Sequence, residues 1–239
     1  IYMPAETIES GKHQEWLTAH NYNKEELPDF IKSINENLET VAYMVIIKDS
    51  IHFEKYWHGY NSDTMSNSFS ISKSWVSTLI GIAITEGKIK SVDQKVCDFL
   101  PDFCEGRNSE LTIKNLLTMS SGLNWNEDYY NPIGQTAEAY FGNNLGELIK
   151  NLTVIKTPGK LFKYNSSCTQ LLTFIAEEAT GETISEYASK KLWKPMGAKH
   201  PALWSTDVEG GDEKGFCCIN SNARDFARLG KLYLNQGNW

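Results

Sequence analysis

An α+β fold with a lopsided balance is predicted for this chain by three features of its amino-acid sequence. One β-hairpin is legible over Thr40–His58, several segments of helical period follow residue 70, and loops rich in Gly, Asn and Pro separate them. The 239 residues are 41% hydrophobic and 12% aromatic, enough for a sizeable core in one or two domains. Seven Trp and eleven Tyr exclude a solvated coil.

Residues 1–37 are mixed and polar, with a helix expected over Lys24–Asn37. Thr40–Ile47 is β-branched and apolar, Lys48-Asp49-Ser50 supplies turn residues, and Ile51–His58 alternates, which together predict the hairpin. A two-stranded hairpin is not stable alone, so further strands or a helix must cover it. From Ser70 the period becomes helical. Trp75, Leu79 and Ile82 share one face, Val76, Ile80 and Ala83 lie beside it, and Gly87 stops the run. So broad an apolar surface marks a helix buried on most sides. Further helices are expected at Ile113–Met119 after a Thr112 N-cap, at Thr169–Thr180 before Gly181, at Ile184–Leu192 and at Asn222–Asn235.

Composition narrows the function classes. A formal net charge of −7 argues against a nucleic-acid partner, which needs a clustered basic surface. The longest apolar stretch, Trp75–Ile84, holds Ser77 and Thr78 and is too short to span a bilayer. His52 and His58 are expected on one strand face with no third ligand near, so no metal site is predicted. The five cysteines fit neither a disulfide framework nor a metal pair, and Cys217 and Cys218 are adjacent. Buried thiols acting as small hydrophobes are the expectation. The chain opens at Ile1, which leaves the compartment open: cytoplasmic, or extracytoplasmic if a signal peptide precedes Ile1.

Two segments carry chemistry. Ser70-Ile71-Ser72-Lys73 is an S-x-x-K where the buried helix begins, and Ser70 alone among the twenty serines has Lys at i+3. Residues i and i+3 share a helix face, so Lys73 can reach the Ser70 hydroxyl. A lysine turned inward beside Trp75, Val76 and Leu79 is partly desolvated, which lowers its pKa and frees a neutral amine base. On these four residues alone, Ser70 fits an ordinary N-cap with Lys73 in solvent at least as well. Pro158–Ser166 is a turn leading to Tyr164 directly before a helix. A tyrosine near cations can relay a proton, though it can equally cap a core.

Together these segments resemble the serine β-lactamase and penicillin-binding-protein superfamily, in its class C-like branch. The likeness runs through Phe69–Ser74, Gly81–Ile89, Leu111–Leu123 with its closing Ser121-Gly122-Leu123, Pro158–Ser166 and Ala223–Gly230. With Trp193-Lys194-Pro195-Met196-Gly197, it looks most like the 6-aminohexanoate-dimer-hydrolase and esterase members. The resemblance implies a β-lactamase/transpeptidase-like fold, an antiparallel sheet flanked by helices beside a mainly helical domain. Residues 1–90 would be the first part of the α/β region with two strands and the nucleophile helix, 91–215 the helical domain, and 216–239 a helix returning to the α/β region.

It also implies roles. Ser70 matches the acylated nucleophile, Lys73 its proton acceptor and Tyr164 the Tyr of the family's Y-x-N motif, with Lys73 and Tyr164 coupled and the principal base left open. The Ser70 N–H would supply half of an oxyanion hole, and Asn165 and Ser166 would be substrate-binding. No cofactor is implied, and the partner is a small-molecule acyl substrate. Two departures follow. Ser166 stands where the motif has Asn, which favours an esterase or amidase over a lactamase. The family's third motif, on a C-terminal strand, has only a near match in Lys156-Thr157-Pro158-Gly159, which lies before the Tyr motif. The expectation is therefore an N-terminal part of a serine hydrolase, inactive as 239 residues alone. The alternative is a non-catalytic relative that binds an acyl ligand without turnover.

Overall fold

β-Branched and aromatic residues form two small sheets in the computed structural model, which describes residues 3–239. In chain order the elements are β1 (Ala5–Ile8), β2 (Leu17–Thr18), α1 (Asp29–Asn37), β3 (Ala42–Ile47), β4 (Ser50–Tyr56), β5 (Ser66–Asn67), α2 (Ser72–Thr85) and α3 (Ile113–Leu117). There follow α4 (Gln135–Phe141), α5 (Leu145–Lys150), α6 (Ser166–Thr180), α7 (Ile184–Ala188), β6 (Ala202–Ser205), β7 (Ile219–Ser221) and α8 (Ala223–Leu234). None of the described helices is long and apolar enough to cross a membrane.

The chain divides into two units, Ile1–Glu9 with Asn67–Trp193 and Ala202–Asn220, and Ser10–Ser66 with Lys194–Pro201 and Ser221–Trp239. This differs from the boundary expected near residue 90, because α2 falls with the helical unit. The reason lies in its apolar faces. Trp75, Val76, Leu79, Ile80 and Ala83 of α2 are fully buried and pack towards α6, whose Leu171, Leu172 and Ile175 are buried too. Trp75 also stacks on Trp193 with ring centroids 5.0 Å apart. The four-stranded sheet of this unit runs in the order β1-β6-β7-β5, with β1 antiparallel to β6 from Ala5↔Ser205 to Ile8↔Ala202.

In the second unit the expected hairpin is β3 and β4, antiparallel from Ala42↔Tyr56 to Ile47↔Ser50 with an irregularity between Val45 and Ile46. Lys48 and Asp49 both take positive φ, 48° and 64°, as a two-residue turn matched to strand twist requires. The hairpin's missing partner is β2, a short strand parallel to β4. Buried Glu54 on β4 ties this sheet to α8. It accepts from Arg224 through a bidentate ion pair, from Tyr22 Oη at 2.7 Å and from Tyr56 Oη at 3.0 Å.

Several local expectations need correction. The helix expected from Lys24 begins only at Asp29, because Pro28 disfavours helical backbone at the residue before it. The Ile184–Leu192 helix is α7 followed by a π-helical turn, Ser189–Trp193. His58 falls beyond β4 with φ 56°, so it shares no strand face with His52. The cysteines are not all thiols. Cys97 pairs with Cys104 and Cys217 with Cys218, and only Cys168 is free, its buried thiol pushed up to about 12 by desolvation.

Candidate active site

Ser70 sits in a 3₁₀ turn, Phe69–Ile71, that runs directly into α2. The turn is pinned from behind by Ser68, whose N–H donates to Ile219 O at 2.7 Å and whose hydroxyl accepts from Ile219 N–H at 3.1 Å. Ser72, fully buried, donates its hydroxyl to Gly215 O at 3.0 Å. Both ties fix the start of α2 against the segment 213–220.

Lys73 points inward as the spacing predicts. Its Nζ lies 3.1 Å from Ser70 Oγ and donates to Phe216 O at 2.7 Å. The rings of Tyr164 and Phe216 lie beside it, with centroids 5.2 and 5.8 Å from Nζ. Burial among these groups lowers the Lys73 pKa from its ordinary value, and the Tyr164 phenol and Glu127 charge only partly oppose this. A solvent-facing lysine on an ordinary capped helix is excluded by this geometry.

Tyr164 is 39% exposed and sits directly before the N-terminus of α6. Its two successors are committed elsewhere. Asn165 is the N-cap, its Oδ1 accepting from Ser167 N–H at 2.9 Å and Ser167 Oγ at 2.5 Å, and it borders a cavity of about 240 Å³ with Ser121, Trp125 and Lys163. Ser166 is fully buried and gives both its N–H, at 2.7 Å, and its hydroxyl, at 2.6 Å, to Glu127. In this arrangement both Ser166 donors are taken by Glu127.

Glu127 is the residue that sequence reading missed. Its carboxylate accepts four bonds, the two from Ser166 plus Trp125 Nε1 at 2.6 Å and Tyr129 Oη at 2.6 Å. The Trp125–Tyr129 loop is thus bound to the Tyr164 turn through one anion. No short motif joins residues 127 and 166, so only an unmatched acid in an aromatic loop hinted at it.

The near match Lys156-Thr157-Pro158-Gly159 is structural. Ile155 and Lys156 donate their N–H groups to Gly122 O at 2.9 and 3.1 Å, and Gly159 N–H donates to Ser120 O at 2.8 Å. Gly122 has φ 71°, and a side chain there would overlap the Lys156 carbonyl, which explains the Gly of Ser121-Gly122-Leu123.

Known proteins are similar to this chain over most of its length. The 6-aminohexanoate-dimer hydrolase of Paenarthrobacter ureafaciens is 29% identical over 222 residues, covering 88% of this chain and 56% of that protein. The N-acetylmuramyl-L-alanine amidase of Bacillus subtilis is 25% identical over 213 residues, covering 77% and 47%. The chain thus spans about half the length of these relatives. Among solved structures, "Putative 6-aminohexanoate-dimer hydrolase from Bacillus anthracis" matches with TM-score 0.88 and 21% identity over 99% of this chain and 67% of that one. A class C β-lactamase matches with TM-score 0.66 and 18% identity over 88% and 65%, well within the same fold. The model of the family described as Beta-lactamase matches residues 27–238, and the chain belongs to that family.

Proposed function

We propose that the protein is a serine hydrolase that attacks an ester, amide or lactam carbonyl with Ser70 and passes through an acyl-enzyme. The observation that carries this reading is the amine of Lys73, held 3.1 Å from Ser70 Oγ and lowered in pKa by burial. A neutral amine gives one N–H to Phe216 O and keeps its lone pair for the Ser70 proton. As Oγ bonds to the carbonyl carbon, the Ser70 N–H stabilises the developing oxyanion. Tyr164, beside the same amine, passes the proton to the leaving group. Water then attacks the acyl carbon and restores Ser70.

Glu127 holds the Tyr164 turn in place for this transfer. The commitment of Ser166 to Glu127, at the position where the lactamase pattern has Asn, supports an ester or amide over a lactam. Fluorophosphonate labelling of the full-length protein, read by intact mass, tests the reading. One label is expected on the wild type and none on Ser70→Ala. A wild type that takes no label would sink it.

A further inference from the structure

Phe69, immediately before the nucleophile, has φ 43°, a left-handed conformation that aromatic residues rarely take. Packing does not compensate for it, since Phe69 is 62% exposed. Its N–H donates to Asn67 Oδ1 at 2.7 Å, which helps to hold the turn. Strain kept without burial points to a use for the ring. That ring walls a cleft of about 490 Å³ together with Tyr129, Tyr130, Tyr140 and Phe141, and no charged side chain lines it. Phe141 is 67% exposed and Tyr130 almost wholly so. An exposed aromatic cleft of this kind is what a ligand site looks like.

The walls are tied to each of the three reacting residues. Phe69 adjoins Ser70 in the chain. Tyr129 donates its hydroxyl to Glu127, which holds Ser166 beside the Tyr164 turn. Tyr140 packs edge-on against Phe216 with centroids 5.2 Å apart, and the Phe216 carbonyl takes Lys73 Nζ. The cleft's walls thus adjoin the elements that carry Ser70, Lys73 and Tyr164.

We propose that this cleft is the subsite for an uncharged, apolar acyl group, alkyl or aryl, of the substrate that Ser70 attacks. The inference rests on the hydrolase reading above and names its substrate class. Ser70 Oγ forms the acyl bond as the ester C–O bond breaks, the alcohol leaves with the proton taken from Ser70, and the acyl chain stays beside Phe69. An ammonium on the far end of that chain would lose hydration against walls that carry no counter-charge. The weak cation–π attraction of exposed rings returns only part of that cost, so charged acyl groups are selected against.

The test measures acylation of the full-length protein by p-nitrophenyl acetate, hexanoate and 6-aminohexanoate, with p-nitrophenol release and the intact mass of the Ser70 adduct as readouts. Hexanoate is expected to exceed both others in kcat/KM by about tenfold or more, the range that a few methylenes in an apolar pocket provide. Phe141→Ala removes a wall without touching Ser70, Lys73, Tyr164 or Glu127. It should lower the hexanoate-to-acetate ratio by about tenfold. Tyr130→Ala serves as a second variant with the same expectation. A ratio near one, a ratio unmoved in both variants, or a preference for 6-aminohexanoate, with Ser70 still acylated, would overturn the subsite alone. A cleft covered by another chain or segment would give the first of these results. No acylation by any ester would overturn the hydrolase reading and the subsite with it.

Discussion

The amine of Lys73 lies among the Ser70 hydroxyl, the Phe216 carbonyl and the Tyr164 ring, and in the proposed mechanism its charge state decides whether Ser70 can be deprotonated. Acylation should rise with pH along a limb set by Lys73, below the ordinary lysine value of 10.5. Lys73→Ala and Tyr164→Phe should each slow acylation by orders of magnitude, and the double mutant should be sharply sub-additive, since both move one proton. Rates that simply multiplied would show two independent groups. Glu127→Gln keeps one oxygen for the two N–H donors and must reverse both hydroxyl bonds, which weakens four charge-assisted bonds, so a loss of about 10–100-fold in rate is expected. The lost negative charge had favoured the ammonium of Lys73, so the same substitution should move the pH limb to lower pH. A slower enzyme with an unmoved limb would make Glu127 a purely mechanical brace. The contact between Lys73 and Ser70 was legible because residues i and i+3 share a helix face, whereas the roles expected of Ser70, Lys73 and Tyr164 came only with the family resemblance. Glu127 was not legible, since its partnership with Ser166 exists only after folding.

At the scale of elements, the caps read from the sequence are present. Thr112 forms a reciprocal box with Asn115, and Gly181 closes α6 at φ 72°; Asn222, expected inside its helix, is instead the N-cap and accepts from Asp225 N–H at 2.9 Å. Strands β1, β6 and β7 escaped notice because none exceeds four residues, too few to show a period of two. Helices α4 and α5, at seven and six residues, are hidden for the same reason. The Arg224–Gly230 stretch owes its residues to ion pairs in its own unit. Buried Asp225 accepts from Arg228 Nε at 3.0 Å, Asn222 Nδ2 at 2.8 Å and the N–H groups of Lys199 and His200 at 2.9 and 3.1 Å. Asp225→Ala would strand the buried Arg228 guanidinium and should cost about 3–5 kcal/mol in urea unfolding. Asp225→Asn keeps an acceptor and should cost less. A loss under about 1 kcal/mol for the alanine variant would mean that water replaces the carboxylate.

For the molecule as a whole, one contribution to the pH dependence of stability comes from carboxylates whose pKa burial raises. Glu177 of α6 faces Glu213, with Asp212 adding to the negative field, and Glu177 Oε1 accepts from Ile184 N–H at 3.1 Å. Burial first, then the neighbouring carboxylate, raises Glu177 from 4.5 to about 8 and raises Glu213 as well. Two carboxyls that share a hydrogen bond hold a proton between them. The unfolded chain has given up that proton well below neutrality while the folded one keeps it, so folding takes up a proton across this range. Stability is then fullest near the unfolded value, falls as pH rises towards about 8, and levels off once the folded pair has ionised. Glu177→Gln stays neutral at every pH. It should melt close to wild type at pH 5 and above it at pH 9, by on the order of 5 °C for a chain of this length. Melting curves across that range decide the point. Parallel curves for the two proteins would show that the pair ionises in the folded chain as readily as in the unfolded one, with solvent reaching Glu177 in place of Glu213.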